Sequence, residues 1–271
     1  MSEPGIIRTE LNFCEPGASR GRYDIYELWR TNLKFSAKPV VIRDARLREE
    51  PLRFHNEGVE LLNAPMKSAF SKDKDELLRH YVPEVAEIAK SLTGAHTALP
   101  LLNGLTVRTA GHNKQIARAQ AAHFTHLDYT VKSARGYVGT AMEWAGLTSV
   151  PEYSRLAVVQ CWRPTTAPPH DEPLAFADGR TVMPDDLVPF DTIHGPEGDP
   201  ANFESCGARY SPAYDWNYFS NFNTDEILFF KSIDTVENAP QRVIHSAFFD
   251  RSVEGAIPRE NVEVRLLMLI A

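Results

Sequence analysis

His126-Leu127-Asp128-Tyr129-Thr130 is the stretch on which the reading of this 271-residue chain turns. In an extended segment, side chains i and i+2 share a face, so the His126 imidazole and the Asp128 carboxylate can meet one ion. A second histidine from elsewhere completes the two-histidine, one-carboxylate set that leaves coordination positions open on non-haem iron(II). By itself the motif is weak, because nine histidines make one H-x-D by chance unsurprising.

Working outward, His245 lies in Val243-Ile244-His245-Ser246-Ala247-Phe248-Phe249. An imidazole is out of place in such an apolar strand unless it is hydrogen-bonded or ligating, and a satisfied core histidine is the plain alternative. The next apolar run changes the weighing. Val262, Val264, Leu266, Met268 and Ile270 take one face, and Glu263, Arg265, Leu267 and Leu269 the other. A guanidinium among leucines calls for an anionic partner. Glu263 on the same face is one candidate, and a dicarboxylate cosubstrate, bound bidentately, is another. Arg259, six residues earlier, is a second candidate for the same anion.

The rest of the chain bounds the class. Lys+Arg 29 against Asp+Glu 36 gives a net charge of −7, with 43% apolar and 24% charged residues, an ordinary soluble balance. The mild acidity argues against nucleic acid as a partner. No run of about 18 apolar residues predicts a membrane span. Met1-Ser2-Glu3-Pro4-Gly5 has neither a basic nor an apolar leader segment, so a cytoplasmic protein is expected. Cys14, Cys161 and Cys206 form no C-x-x-C pair, which indicates neither a disulfide framework nor a thiolate zinc site.

Strands are expected at 6–13, 38–44, 59–62, 156–162, 226–231, 243–249 and 262–270. A helix is expected from about Ser71 to Leu92, kinked or split by Pro83, and a second from Val131 to Ala145, ended by Gly146. Residues 164–212, dense in Pro, Gly and Asp, read as long loops with at most short strands. Helices early and antiparallel strands late suggest a sheet closing into a sandwich or barrel.

These residues carry a resemblance. H-x-D, a distant His and one or two Arg on the next strand are similar to the iron(II)/2-oxoglutarate dioxygenases. More specifically, the chain resembles the secondary-metabolite hydroxylase/desaturase family, which includes the aspergillic-acid hydroxylase/desaturase and a cephamycin 7-methoxylation protein. The similar stretches include 126–130, Trp162-Arg163-Pro164, Pro173-Leu174-Ala175 with Asp178, 185–188 and Trp216-Asn217-Tyr218-Phe219. They continue through 225–231, His245-Ser246-Ala247-Phe248 and 259–265.

The resemblance implies a mostly β fold with flanking helices, a double-stranded β-helix (jelly roll, cupin-like). It makes His126, Asp128 and His245 the iron ligands, and Arg259 and Arg265 the partners of the 2-oxoglutarate carboxylate. Gln160, Trp162 and Arg163 would line or border the same cavity, with packing as the alternative. Tyr129, Trp216 and Tyr218 are candidates for the substrate pocket, although aromatic residues are more often core. His123 could be mistaken for a ligand, and His112, His170 and His194 are expected to be solvated.

The implied activity is C–H oxidation (hydroxylation, desaturation or oxidative ring closure) of a small natural-product or amino-acid-derived intermediate, with Fe(II), 2-oxoglutarate and O2. The expected partner is a small-molecule substrate, with no nucleic acid and no membrane, and with a homodimer left open. Two alternatives stay in view: a non-catalytic partner protein on the same fold, and an oxygen-independent metal lyase, isomerase or hydrolase. Because His126 and His245 are 119 residues apart yet must meet at one ion, residues 1–271 are expected to form a single domain.

Overall fold

The computed structural model describes residues 3–25, 27–101, 104–109, 122–199, 201–250 and 253–271. Among the described residues fifteen strands arise in chain order: β1 (Ile6–Cys14), β2 (Gly21–Asp24), β3 (Phe35–Asp44), β4 (Val59–Asn63), β5 (Thr97–Pro100), β6 (Thr106–Arg108), β7 (His126–Leu127) and β8 (Arg155–Pro164). They continue as β9 (Leu174–Ala177), β10 (Leu187–Ile193), β11 (Phe203–Ala208), β12 (Trp216–Tyr218), β13 (Glu226–Asp234), β14 (His245–Ala247) and β15 (Asn261–Ile270). Nine form one sheet in the order β1-β3-β12-β9-β14-β7-β11-β10-β2. The smaller sheet runs β4-β13-β8-β15-β5, with β6 also paired to β15. This is the mostly β, curled two-sheet jelly roll that the resemblance implied.

The alternation read in β15 sets the layers. Leu267 and Leu269 join Leu156 and Val158 of β8 in the inner core, which also receives Leu127 and the Trp216 ring. Val262, Val264, Leu266, Met268 and Ile270, with Ala157, Val159 and Cys161 of β8, face the other way and pack against the Val82–Thr93 helix. Ten consecutive buried residues in β15 therefore serve two different apolar layers.

The two expected helices form, each with its punctuation visible. Asp73 caps the first helical turn by accepting from the backbone of Asp75 and Glu76. The next turn, Leu77–Tyr81, widens to π geometry just before Pro83, which has no N–H to donate. The Val131–Trp144 helix starts from Thr130 in a capping box with Ser133, and Gly146 follows its end at φ +68°. Since Thr130 stands two residues after Asp128, this cap also fixes the chain leaving the H-x-D motif.

Two expectations need correction. The predicted strand at 243–249 shortens to three residues. The predicted loop region 164–212 contains three strands, of which β10 and β11 are seven and six residues long. Pro189 is exposed within β10 and faces Cys206 in register, so one proline did not prevent pairing.

Candidate metal centre and its cavity

Backbone pairing brings the two halves of the motif together. His126 on β7 lies directly opposite His245 on β14 and opposite Gly207 on β11. The two imidazole rings are 4.3 Å apart between centroids. Asp128 follows at once, its carbonyl oxygen accepting from Ser205 Oγ at 2.8 Å, while the Tyr129 amide donates to Ser232 Oγ at 3.2 Å. One donor atom from each of His126, Asp128 and His245 lies within 4.8 Å of the others. His126 Nε2 is 3.9 Å from Asp128 Oδ1, and His245 Nε2 is 3.4 Å from Asp128 Oδ2.

The protonation states suit a metal. His126 Nδ1 donates to the Phe124 carbonyl at 2.8 Å, which leaves the lone pair on Nε2, the nitrogen facing Asp128. Burial, and then the neighbouring His126, push His245 down to about 3, so its ring stays neutral. Burial alone would raise the Asp128 carboxyl, but the Arg265 guanidinium and the two histidines outweigh it and hold the group well below the usual carboxylate range. Two imidazoles and one carboxylate, with no thiolate among them, form the donor set that suits non-haem iron(II).

A second layer holds the carboxylate. Gln160 Nε2 donates to Asp128 Oδ2, and Arg265 Nη2 donates to Oδ1 at 3.3 Å. The same Arg265 nitrogen is 3.0 Å from Glu263. Of the two candidate partners for the buried guanidinium, Glu263 is in contact with it. Asp128 of the motif itself, which was not among the candidates, is the other anion beside it. Asp128 and Glu263 outweigh the burial that would lower Arg265 and raise it instead, so it remains cationic.

The cluster opens onto a cavity of about 510 Å³. Arg259 lines it, with its guanidinium 5.2 Å over the Trp162 ring and donating to the Glu172 carbonyl. Burial, and then the nearby Arg108, pull Arg259 down to about 10, still cationic at neutral pH. It forms no ion pair with any described carboxylate, and its Nε is buried without a partner. One wall is aromatic. Phe124 lies 4.9 Å from Tyr23, 4.7 Å from Phe35 and 4.9 Å from the His126 ring, with Phe190 at 6.4 Å. Only Phe124, two residues before His126 on the same extended face, carried a sequence signal for this wall.

The other sequence candidates separate. Gln160 and Trp162 face inward. Arg163, one residue on, faces away, donating to Tyr81 Oη, Thr224 O and Ala64 O at 3.1, 2.8 and 2.6 Å. It does not border the cavity. Tyr129 is fully buried against Phe203 and Tyr137, and Trp216 packs with Phe13 and Tyr214. Tyr218 lines a separate cavity of about 140 Å³, beyond Trp162 and Arg259. His123 is 3.4 Å from Glu172 at the main cavity. His170 is buried with Thr166, and His194 stacks on Phe203 at the cavity, so neither is a solvated loop side chain. His112 lies outside the described residues.

Comparison with known proteins agrees with the site. The chain is 28% identical over 286 residues to the hydroxylase/desaturase efuI of Hormonema carpetanum, covering 97% of this chain and 94% of that one. It is 27% identical over 277 residues to the Fe(II)/2-oxoglutarate-dependent dioxygenase nvfI of Aspergillus novofumigatus, covering 96% and 95%. The solved structure of the iron and alpha-ketoglutarate-dependent endoperoxidase NvfI superposes with a TM-score of 0.79 at 25% identity, covering 99% of this chain and all of that one. Fold, donor set and relatives together define an iron(II)/2-oxoglutarate-dependent dioxygenase, an enzyme class that uses Fe(II), 2-oxoglutarate and O2. Within that class, residues 11–269 match the family described as "Oxidoreductase/YMDC permease-like domain", and the chain belongs to that family. No helix among the described residues is long and apolar enough to cross a membrane.

Proposed function

We propose that His126, Asp128 and His245 hold iron(II) and that Arg259 holds the distal carboxylate of 2-oxoglutarate. The substrate is a small natural-product or amino-acid-derived molecule that undergoes hydroxylation, desaturation or oxidative ring closure. The observation that carries this reading is the convergence of three metal donors on the same cavity as a half-buried guanidinium with no described ion-pair partner. When bound, the metal with its cosubstrate supplies the oxidant for an unactivated C–H bond.

The chain does the rest. Phe124 O fixes the His126 tautomer, and Gln160 fixes the plane of the Asp128 carboxylate. Arg259 presents a cation that an oxygen anion satisfies by two hydrogen bonds. The Tyr23, Phe35, Phe124 and Phe190 rings exclude water and position a scaffold beside His126. All 271 residues act in this reading as one oxygenase domain. Its three cysteines, all free and buried, support a cytoplasmic setting, and a homodimer is tested by sedimentation.

The test is anaerobic mixing of the protein with Fe(II) and 2-oxoglutarate. A weak visible charge-transfer band is expected, and His126→Ala, Asp128→Ala or His245→Ala should each abolish it. An unchanged band in all three variants would overturn the ligand assignment. A succinate-release screen across small amino acids and larger natural-product scaffolds then identifies the substrate.

A further inference from the structure

A single nitrogen, Arg265 Nη2, stands between two buried carboxylates, 3.3 Å from Asp128 Oδ1 and 3.0 Å from Glu263 Oε1. Glu263 lines the same cavity as the metal donors and lies on the inward face of β15. A hard anionic oxygen so near a divalent site is a competent ligand in its own right. We propose that Arg265 is a positioning residue that assigns one carboxylate to the metal and withholds the other.

The reasoning is one of coordination number and charge. A two-histidine, one-carboxylate set works because it leaves positions open for the cosubstrate and dioxygen, and a fourth protein donor would fill one of them. Asp128 is tied down independently of Arg265, through Gln160 on its other oxygen. Among the described residues Glu263 has no second ion pair. Arg108, on β6, adds a further positive field on Glu263, and among the described residues Arg265 is the cation that pairs with both carboxylates.

Gly104 holds the guanidinium stem in place. A Cβ there would meet Cβ, Cδ and Cγ of Arg265 at 2.8, 2.9 and 3.0 Å, and Arg265 Nη1 donates to the Gly104 carbonyl at 3.5 Å. The stem passes where only a hydrogen leaves room, so substitution at Gly104 moves Arg265 while keeping every charge.

This inference rests on the iron-site reading above, and its test separates the two. Mn(II) serves as the probe, with oxygen excluded, on the full chain; metal and 2-oxoglutarate dissociation constants are read by calorimetry. Arg265→Met should bind Mn(II) at least as tightly as wild type, yet the Mn(II)-loaded protein should lose about tenfold or more in 2-oxoglutarate affinity, the usual scale for outer-layer changes at metal sites. Adding Glu263→Gln to that variant replaces the competing carboxylate by a neutral amide and should bring 2-oxoglutarate affinity back toward wild type. Gly104→Ala should shift both constants in the same directions as Arg265→Met, by less.

A double variant as defective as Arg265→Met would overturn the proposal, since the guanidinium would then contact the cosubstrate itself. Wild-type 2-oxoglutarate affinity in both Arg265→Met and Gly104→Ala would overturn it as well, because nothing would then be withheld. If Arg265→Met does not fold, the charge-balanced double variant and Gly104→Ala decide the question. Failure of the wild type to bind Mn(II) defeats the metal-site reading, and this inference with it.

Discussion

Arg163 on β8 and Arg265 on β15 are buried guanidiniums on neighbouring strands of one sheet, pointing to opposite sides of it. Among the described residues Arg163 meets neutral oxygens: two backbone carbonyls and the Tyr81 hydroxyl. Arg265 meets two carboxylates beside a cluster of imidazoles. The difference is one of partner chemistry rather than burial. A cation satisfied by fixed carbonyls ties loops to a sheet, whereas a cation between carboxylates decides where negative charge is available. Exposure alone separates them poorly, at 0% for Arg163 and 9% for Arg265.

The division is broken most directly at Arg163. Arg163→Met removes a fully buried guanidinium and leaves the half-buried Ala64 and exposed Thr224 carbonyls to water, and should cost about 2 kcal/mol. For a chain of this size that lowers the melting temperature by roughly 4–8 °C. The 2-oxoglutarate affinity of the folded, metal-loaded protein should stay at the wild-type value. A calorimetric scan with a 2-oxoglutarate titration checks both, and a large loss of affinity without loss of stability would put Arg163 back in the site.

The opposite face of the same strand gives the next effect. Gln160, three residues earlier, donates to Asp128 Oδ2 and points inward with Trp162. Gln160→Leu keeps the volume but frees the carboxylate plane, and should weaken Mn(II) binding by about tenfold, the lower end for lost outer-layer hydrogen bonds. Wild-type Mn(II) affinity in this variant would show that Asp128 is oriented by Arg265 alone.

What the sequence made legible follows the same line. The period-2 alternation of β15 exposed Arg265 as a cation on an apolar face, and H-x-D declared a shared face for His126 and Asp128, because both signals are local. Gln160 and Arg163 read alike in the sequence, as bordering one cavity with packing as the alternative, yet they face opposite sides of β8. A three-residue stretch names candidates, but only the parity of β8 against β15 says which of them looks inward. The aromatic wall was legible at Phe124 alone, two residues before His126, since Tyr23, Phe35 and Phe190 become its neighbours only through long-range contacts. β10 and β11 were hidden by the prolines and glycines around them, whose turn signals outweighed six or seven residues of modest alternation. Gly104 gave no sign at all, because its role is to leave room for a side chain 161 residues away.

Tyr81 offers the smallest and most exacting test of the contrast. Its hydroxyl accepts from Arg163 Nε at 3.1 Å, while its ring centroid lies 5.6 Å from the guanidinium. Burial pushes the phenol well above its ordinary range, so it stays neutral at any working pH. Tyr81→Phe therefore removes one neutral hydrogen-bond partner and leaves the ring contact and both carbonyl anchors intact. The expected cost is about 1 kcal/mol, or roughly 2–4 °C in melting temperature, with Mn(II) and 2-oxoglutarate affinities unmoved. A change in either affinity would mean that the helix-facing side of β8 communicates with the cavity, and that the two arginines belong to one network after all.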